Sequence, residues 1–290
     1  MQRYGTETGS KEENTVKKQF CATLAVLLLL TLAACGANTK NDANAFQPFT
    51  AVDNAKCRIN VTGIDPDNLF GYTVKLQLKN KSLTQTLFFT TEECTVNGVE
   101  WDPWLYTEVE PGRTESVEMS FSGEPYRKLI PEITDIELIF KVTDTDNDDA
   151  EAANARVHIY PIGRDNAKRH VHELQPPEKL AFDNDQFVCI VQYLDPEGFY
   201  GNTLRLYMEN KTDRRVVFSA ADATVNGIAV DLLWAHSVYA GHIALDGVVL
   251  DDNDLTQNGI TEIESIEFVM NVYDYGSTTL LFSQRISYNP

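Results

Sequence analysis

The chain has 290 residues, with 24 Lys and Arg against 43 Asp and Glu, and a formal net charge of −19. That length holds two ordinary domains with cores of their own, and that charge repels phosphate backbones and anionic lipid headgroups, which excludes nucleic-acid binding. Cationic peptides, metal ions and neutral glycans are compatible partners, although solubility alone accounts for so acidic a surface.

At the N-terminus, Lys17-Lys18 precede an apolar run over residues 21–34, closed by Leu32-Ala33-Ala34-Cys35-Gly36. A short basic stretch, an apolar centre and small residues before a cleavage point make a secretory signal peptide. The run is shorter than the ~20 residues of a membrane span. Its small residues abutting a cysteine resemble the lipobox of bacterial lipoproteins. The resemblance implies that residues 1–34 are removed and that Cys35 becomes the N-terminus and carries a diacylglyceryl group. The protein would then sit lipid-anchored on the extracellular face of the cell membrane, where two acyl chains suffice for stable attachment. Residues 1–34 carry Arg3, Lys11, Lys17 and Lys18 against Glu7, Glu12 and Glu13, so their loss leaves the chain one charge more acidic. The polar stretch 1–15 is unusual before such a signal, and a translation start at Val16 would account for it. Residues 35–50 read as the lipidated cysteine and a disordered tether.

The chain then repeats itself. Ala51-Val52-Asp53-Asn54 answers to Ala181-Phe182-Asp183-Asn184, Asp65-Pro66-Asp67 to Asp195-Pro196-Glu197, and Asn80-Lys81-Ser82 to Asn210-Lys211-Thr212, all at a shift of 130; Phe88 meets Phe218 at the same shift. One residue then drops out, so that Thr95-Val96-Asn97-Gly98 pairs with Thr224-Val225-Asn226-Gly227, and a β-bulge in one copy would explain the slip. The shift of 130 returns at Ile133, Ile136 and Val142. The period predicts two tandem domains, residues 51–161 and 179–290, joined by a linker at 162–178 whose Pro176-Pro177 acts as a spacer that limits bending.

Each copy reads as β. Tyr72, Val74, Leu76 and Leu78 alternate with polar residues, as do Leu204, Leu206 and Met208, and again Ile136, Leu138, Phe140 and Val142. Period two marks a strand with one buried and one wet face. Asn97-Gly98 and Asn226-Gly227 are hairpin signals, since a type I′ turn needs φ > 0 at both central positions. Strands near 56–64, 72–80, 86–96, 99–106, 113–121, 133–142 and 156–160 predict an all-β antiparallel sandwich in each repeat, with one short helical turn at 124–129. With their Asn-Lys-Ser/Thr strand ends, Val-Asn-Gly hairpins and the turns at Pro111-Gly112 and Ala240-Gly241, the copies resemble the immunoglobulin-like modules of surface lipoproteins from Gram-positive bacteria, most of which have no known activity.

Cysteines follow from the repeat. Cys57 has Phe187 as its counterpart, Cys189 has Ile59, and Cys94 falls opposite Ala223. Exported chains can form disulfides, and a Cys57–Cys94 bridge is conceivable, but cysteine exchanging with Phe, Ile and Ala behaves as a small core hydrophobe. Three buried free thiols are expected.

Candidate sites are few. Trp101, Trp104 and Tyr106 cluster in the first repeat, where an aromatic platform would bind a glycan or a peptide. Packing in the core is the competing explanation, because Val230 stands opposite Trp101. Asp144, Asp146 and Asp148 begin like a Ca²⁺-binding loop, yet Asp149 stands where the turn glycine belongs and Ala155 where the bidentate Glu belongs, so a solvated loop is expected. The Asp-Pro-acid loops carry Phe70 in one copy and Phe199-Tyr200 in the other, and these aromatics are expected to plug the sandwich ends. His170-x-His172 lacks the partners of a metal site, and Asn80-Lys81-Ser82 and Asn210-Lys211-Thr212, which match a glycosylation sequon, are expected to be strand-closing turns. No nucleophile elbow, phosphate loop or zinc spacing occurs. The sequence therefore predicts no enzyme and no cofactor. It predicts a membrane-anchored interaction module for an envelope protein, peptide or glycan, with a regulatory or inhibitory ectodomain and a divalent-cation-dependent adhesin as the alternatives.

Overall fold

Period-two alternation carries through into strands over most of the chain. The computed structural model describes residues 46–290 apart from 199, 200 and 233. Its first half runs β1 (Phe49–Asp53), β2 (Cys57–Asp65), β3 (Tyr72–Asn80), β4 (Leu87–Val96), β5 (Val99–Glu100), β6 (Thr107–Val109), β7 (Thr114–Phe121), α1 (Glu124–Leu129), β8 (Ile136–Asp144) and β9 (Asn147–Ile159). The second half repeats that order: β10 (Lys179–Asp183), β11 (Phe187–Asp195), β12 (Thr203–Asn210), β13 (Val216–Val225), β14 (Ile228–Ala229), β15 (Trp234–Val238), β16 (Ile243–Val249), α2 (Asp252–Gln257), β17 (Ile266–Asp274) and β18 (Leu280–Tyr288). Irregularities recur with it. β1 shifts register against β2 between Thr50 and Val52, and β10 against β11 between Leu180 and Phe182.

These matches correct the alignment. Leu87 pairs with Asp144 as Val216 pairs with Asp274, so β4 answers to β13 at a shift of 129 along its whole length. The missing residue therefore lies in the loop before those strands, and the partner of Phe218 is Phe89, equally buried, rather than Phe88. The bulge belongs to both copies, with Glu93 at φ 47° and Asp222 at φ 49°. Both Asn-Gly hairpins take positive φ at the two central residues, 52° and 83° in the first and 53° and 77° in the second.

Three sheets result. A four-stranded sheet, β1-β2-β3-β7, faces β4, β5, β6, β8 and β9 across a core that includes Ile59, Leu76, Phe89, Met119, Phe121, Leu138 and Phe140. The strands β10-β11-β12-β16 face a sheet of β13, β14, β15, β17 and β18 across a second core containing Phe187, Leu206, Met208, Phe218 and Phe268. Two β-sandwiches are thus built from one pattern. Cys57, Cys94 and Cys189 are buried free thiols in these cores. Burial pushes the Cys189 thiol up to about 12 and that of Cys94 well above its ordinary value.

The repeats are not beads on a string. The start of β16 pairs with β5 in parallel, Ile243 against Val99, and the Ile243 N–H donates to the Gly98 carbonyl at 3.0 Å. One nine-stranded sheet therefore runs through both sandwiches, and Phe46–Pro290 forms one compact unit. Glu100 Oε1 accepts from the Tyr239 N–H at 2.8 Å. His236 Nδ1 lies 2.8 Å from Asp246 Oδ2 and His236 Nε2 lies 3.9 Å from Glu100 Oε2. Burial disfavours the His236 charge, but the bond to Asp246 and the fields of Asp246, Glu100 and Asp102 outweigh it, and its pKa is raised.

The outer face of β11 and β12 completes the joint. Val188, Ile190 and Tyr207, where the first repeat has Arg58, Asn60 and Gln77, belong to the first repeat's core cluster. The His172 ring stacks on Tyr207 at a centroid distance of 4.6 Å, and its Nε2 meets Glu178 Oε2 at 2.8 Å. The connector at 162–178 is accordingly more than a spacer: the His170 N–H donates to the Asn97 carbonyl at 2.7 Å, and the Lys168 N–H to Thr134 Oγ1 at 3.0 Å.

Candidate functional site

Alternation divides the aromatic cluster. Between β5 and β6 the chain is extended, so Trp101, Pro103 and Leu105 face the core while Asp102, Trp104 and Tyr106 face water. Trp101 is 3% exposed. Its N–H donates to the Cys94 carbonyl at 3.1 Å and its Nε1 to the Ser122 carbonyl at 2.8 Å. Its ring stacks on Tyr126 of α1 at 4.8 Å and meets Phe121 edge-on at 5.8 Å. Trp101 is a core anchor and forms no part of a contact surface. Residues three apart in an extended segment cannot share a face, and that rule could have separated it from Trp104 in advance.

Trp104 and Tyr106 remain outside, 74% and 60% exposed, with their rings edge to face at 5.2 Å. The Trp104 N–H donates to the Ser120 carbonyl at 3.1 Å, which fixes the indole beside β7. On its other side stand Leu69 and Phe70, 91% and 68% exposed, so Phe70 does not plug the sandwich end. An Asx turn sets that loop: Asn68 Oδ1 accepts from the Phe70 N–H at 3.0 Å, and Gly71 follows at φ 106°. Only glycine takes that dihedral without strain. Leu69, Phe70 and Trp104 line an open cleft of about 730 Å³ together with Glu118, Ser120 and Ser122. Phe199 and Tyr200, the aromatics of the second Asp-Pro-acid loop, lie outside the described residues, as does Cys35.

The carboxylate candidates are otherwise engaged. Asp144 and Asn147 pair across a tight hairpin whose turn is Thr145-Asp146, and β9 begins at once. The open acidic loop is therefore absent. Asp144 is buried, accepts from Gln85 Nε2 through Oδ2 and from the Asp146 N–H through Oδ1 at 3.1 Å. Asp146 and Asp148 do not converge on it, and no cluster of three or more His, Cys, Asp or Glu able to hold a metal ion occurs among the described residues. In the Asp-Pro loops, Asp65 is paired with Lys75 at 3.2 Å and Asp195 with Arg205 at 2.9 Å. The hydrogen bond from Arg205 holds the Asp195 carboxyl below its ordinary pKa.

The sequon asparagines close strands. Asn80 and Asn210 are fully buried. Asn80 Nδ2 donates to the Gln85 and Val109 carbonyls, both at 2.8 Å. Asn210 Nδ2 donates to those of Arg214, Val238 and Tyr239 at 2.7, 3.1 and 2.9 Å. The following lysines, Lys81 and Lys211, bind Asp53 and Asp183. That network explains why Asn-Lys-Ser/Thr recurs.

No family model matches the chain, and no curated protein matches it. Among solved structures, one that resembles it is the crystal structure of the YadV chaperone, at 12% identity over 75% of this chain and 92% of that chain, with a TM-score of 0.21. A likeness that loose decides nothing about this chain.

Proposed function

We propose that the chain is a non-catalytic, lipid-anchored binding protein of the cell surface. An acylated Cys35 holds it, its two sandwiches act as immunoglobulin-like modules, and the cleft of Leu69, Phe70 and Trp104 contacts a protein, peptide or glycan of the envelope. One observation supports this above the rest: three large, exposed apolar side chains line one open cleft with Glu118, Ser120 and Ser122. Contiguous exposed apolar surface of that kind marks interaction sites, and Trp is the residue most enriched at their energetic centres. The signal pattern ending in Cys35 supports the anchor.

Both halves are testable. Metabolic labelling with palmitate should mark the wild-type protein and leave Cys35→Ala unlabelled; equal labelling would end the anchor proposal. Binding of the soluble protein to arrayed glycans and peptides should depend on Trp104. A Trp104→Ala variant that melts normally and retains every interaction would remove the cleft from consideration.

A further inference from the structure

The two sandwiches treat one edge differently. In the second, the edge of β16 is covered by β5 at Ile243. Its counterpart in the first is β7: the Asn80 N–H donates to the Arg113 carbonyl as the Asn210 N–H donates to the His242 carbonyl, which matches Thr114 to Ile243. β7 ends the four-stranded sheet and pairs only with β3 along its length. A single isolated bridge touches its outer side, from Trp104 to Ser120. Since the Ser120 carbonyl faces outward, alternation turns the N–H and C=O of Ser116 and Glu118 outward as well. An edge of this kind is a template for another strand.

The surroundings of that edge say which strand fits. Leu69, Phe70 and Trp104 stand next to it and offer a pocket for an apolar side chain. The segments that frame it, residues 66–71 and 101–123, contain Asp67, Asp102, Glu108, Glu110, Glu115 and Glu118 against one basic residue, Arg113, which faces Glu110 at 3.9 Å. A second copy of this acidic chain would be repelled, and a neutral sugar offers neither a row of main-chain groups in register with the edge nor a positive charge for the carboxylates. An extended backbone bearing alternating basic and apolar side chains uses all three features, since main-chain bonds give affinity and pockets for alternate side chains give specificity.

We propose that the outer edge of β7, with the cleft of Leu69, Phe70 and Trp104, takes up an extended basic and apolar peptide segment of a partner protein by strand addition. This rests on the cleft being the contact surface. The pairing runs through Ser116 and Glu118, an apolar side chain enters beside Trp104, and basic side chains meet the surrounding carboxylates.

The test uses a labelled peptide alternating Lys with Val, followed by fluorescence anisotropy on the soluble protein. Ser116→Pro removes one outward N–H and blocks the edge, at a position where an edge strand tolerates proline. It should weaken binding at least roughly tenfold, as the loss of about two main-chain hydrogen bonds implies. Trp104→Ala should weaken it similarly, and a peptide with Glu in place of Lys should not bind. Should Ser116→Pro melt early, the wild-type protein still decides the matter. A Lys-Val peptide N-methylated at alternate amides should lose binding, and the unmodified peptide should slow amide exchange at Ser116 and Glu118. No binding of the basic peptide, equal binding of its N-methylated form, or unchanged affinity in a well-folded Ser116→Pro variant would overturn strand addition. If an oligosaccharide instead bound in a way that needs Trp104 but not Ser116, strand addition would fall and the cleft would stand. If no probe depended on Trp104, both would fall.

Discussion

Giving β11 and β12 the outer face of the first repeat should uncouple the two sandwiches. The perturbation is the triple substitution Val188→Arg, Ile190→Asn and Tyr207→Gln, which installs the residues found at Arg58, Asn60 and Gln77. All three originals are buried, and none belongs to the second core, whose inward residues on these strands are Phe187, Cys189, Val191, Leu204, Leu206 and Met208. Burying a Val or Ile side chain contributes about 1.5–3 kcal/mol, and truncating a buried aromatic costs about 3–5 kcal/mol. The joint should therefore lose roughly 6 kcal/mol or more, comparable with the whole stability of a small domain. Calorimetry reads the outcome: the wild-type protein should unfold in one cooperative transition and the triple variant in two, with the second sandwich's own transition retained. A variant that still melts as one unit near the wild-type temperature would refute the inference that this apolar face welds the repeats.

The joint should also respond to pH. The raised pKa of His236 means that its folded form holds the proton more tightly than the unfolded chain does. Its contribution is complete below the unfolded-state value near 6.5 and is lost as pH rises through the higher folded value. The melting temperature should therefore fall across that interval in the wild-type protein and less steeply in His236→Gln, with identical slopes counting against the pairing with Asp246 and Glu100. Asn80→Ala strips hydrogen-bond donors from the buried Val109 carbonyl and from that of Gln85 and should destabilise by about 1–3 kcal/mol; a denaturant midpoint within error of wild type would show the Val109 carbonyl to be otherwise satisfied. The two tryptophans should part company. Trp101→Ala should destabilise by about 3–5 kcal/mol, whereas Trp104→Ala should stay within about 0.5 kcal/mol, as urea titrations of the two would reveal.

Some elements were legible from short stretches. Tyr72–Asn80 forms β3 at the bounds that its alternation predicts, and the helical turn at 124–129 is α1. The small helix α2 was missed, although Asp251 caps it by accepting from the Asn253 N–H. Its run of Asp and Asn favours turns as readily as caps, so local propensity does not separate the two. β5 is far shorter than alternation over 99–106 suggests, because the chain leaves β4 after Glu100 to bridge β7 at Trp104. The cleft escaped the sequence for a related reason. Trp104 was visible as an aromatic and Phe70 as a loop residue, but their meeting depends on β7 holding Trp104 by its backbone.

By itself the sequence determined the all-β class, the duplication, the inward side of most strands and the burial of three thiols. Each of these is written in neighbours two residues apart or in turn residues that require positive φ, and such preferences act before distant segments meet. Tertiary structure alone decided which wet faces stay wet. Val188, Ile190 and Tyr207 are dry because they pack into the first repeat's core across the joint and His172 stacks on Tyr207, and Trp101 and Trp104 part because one side of an extended segment has a core beneath it. Burial of a second face is a property of contacts between segments more than a hundred residues apart; the unbroken apolar run Phe187–Val191 marks a strand with two dry faces but says nothing of what covers the second.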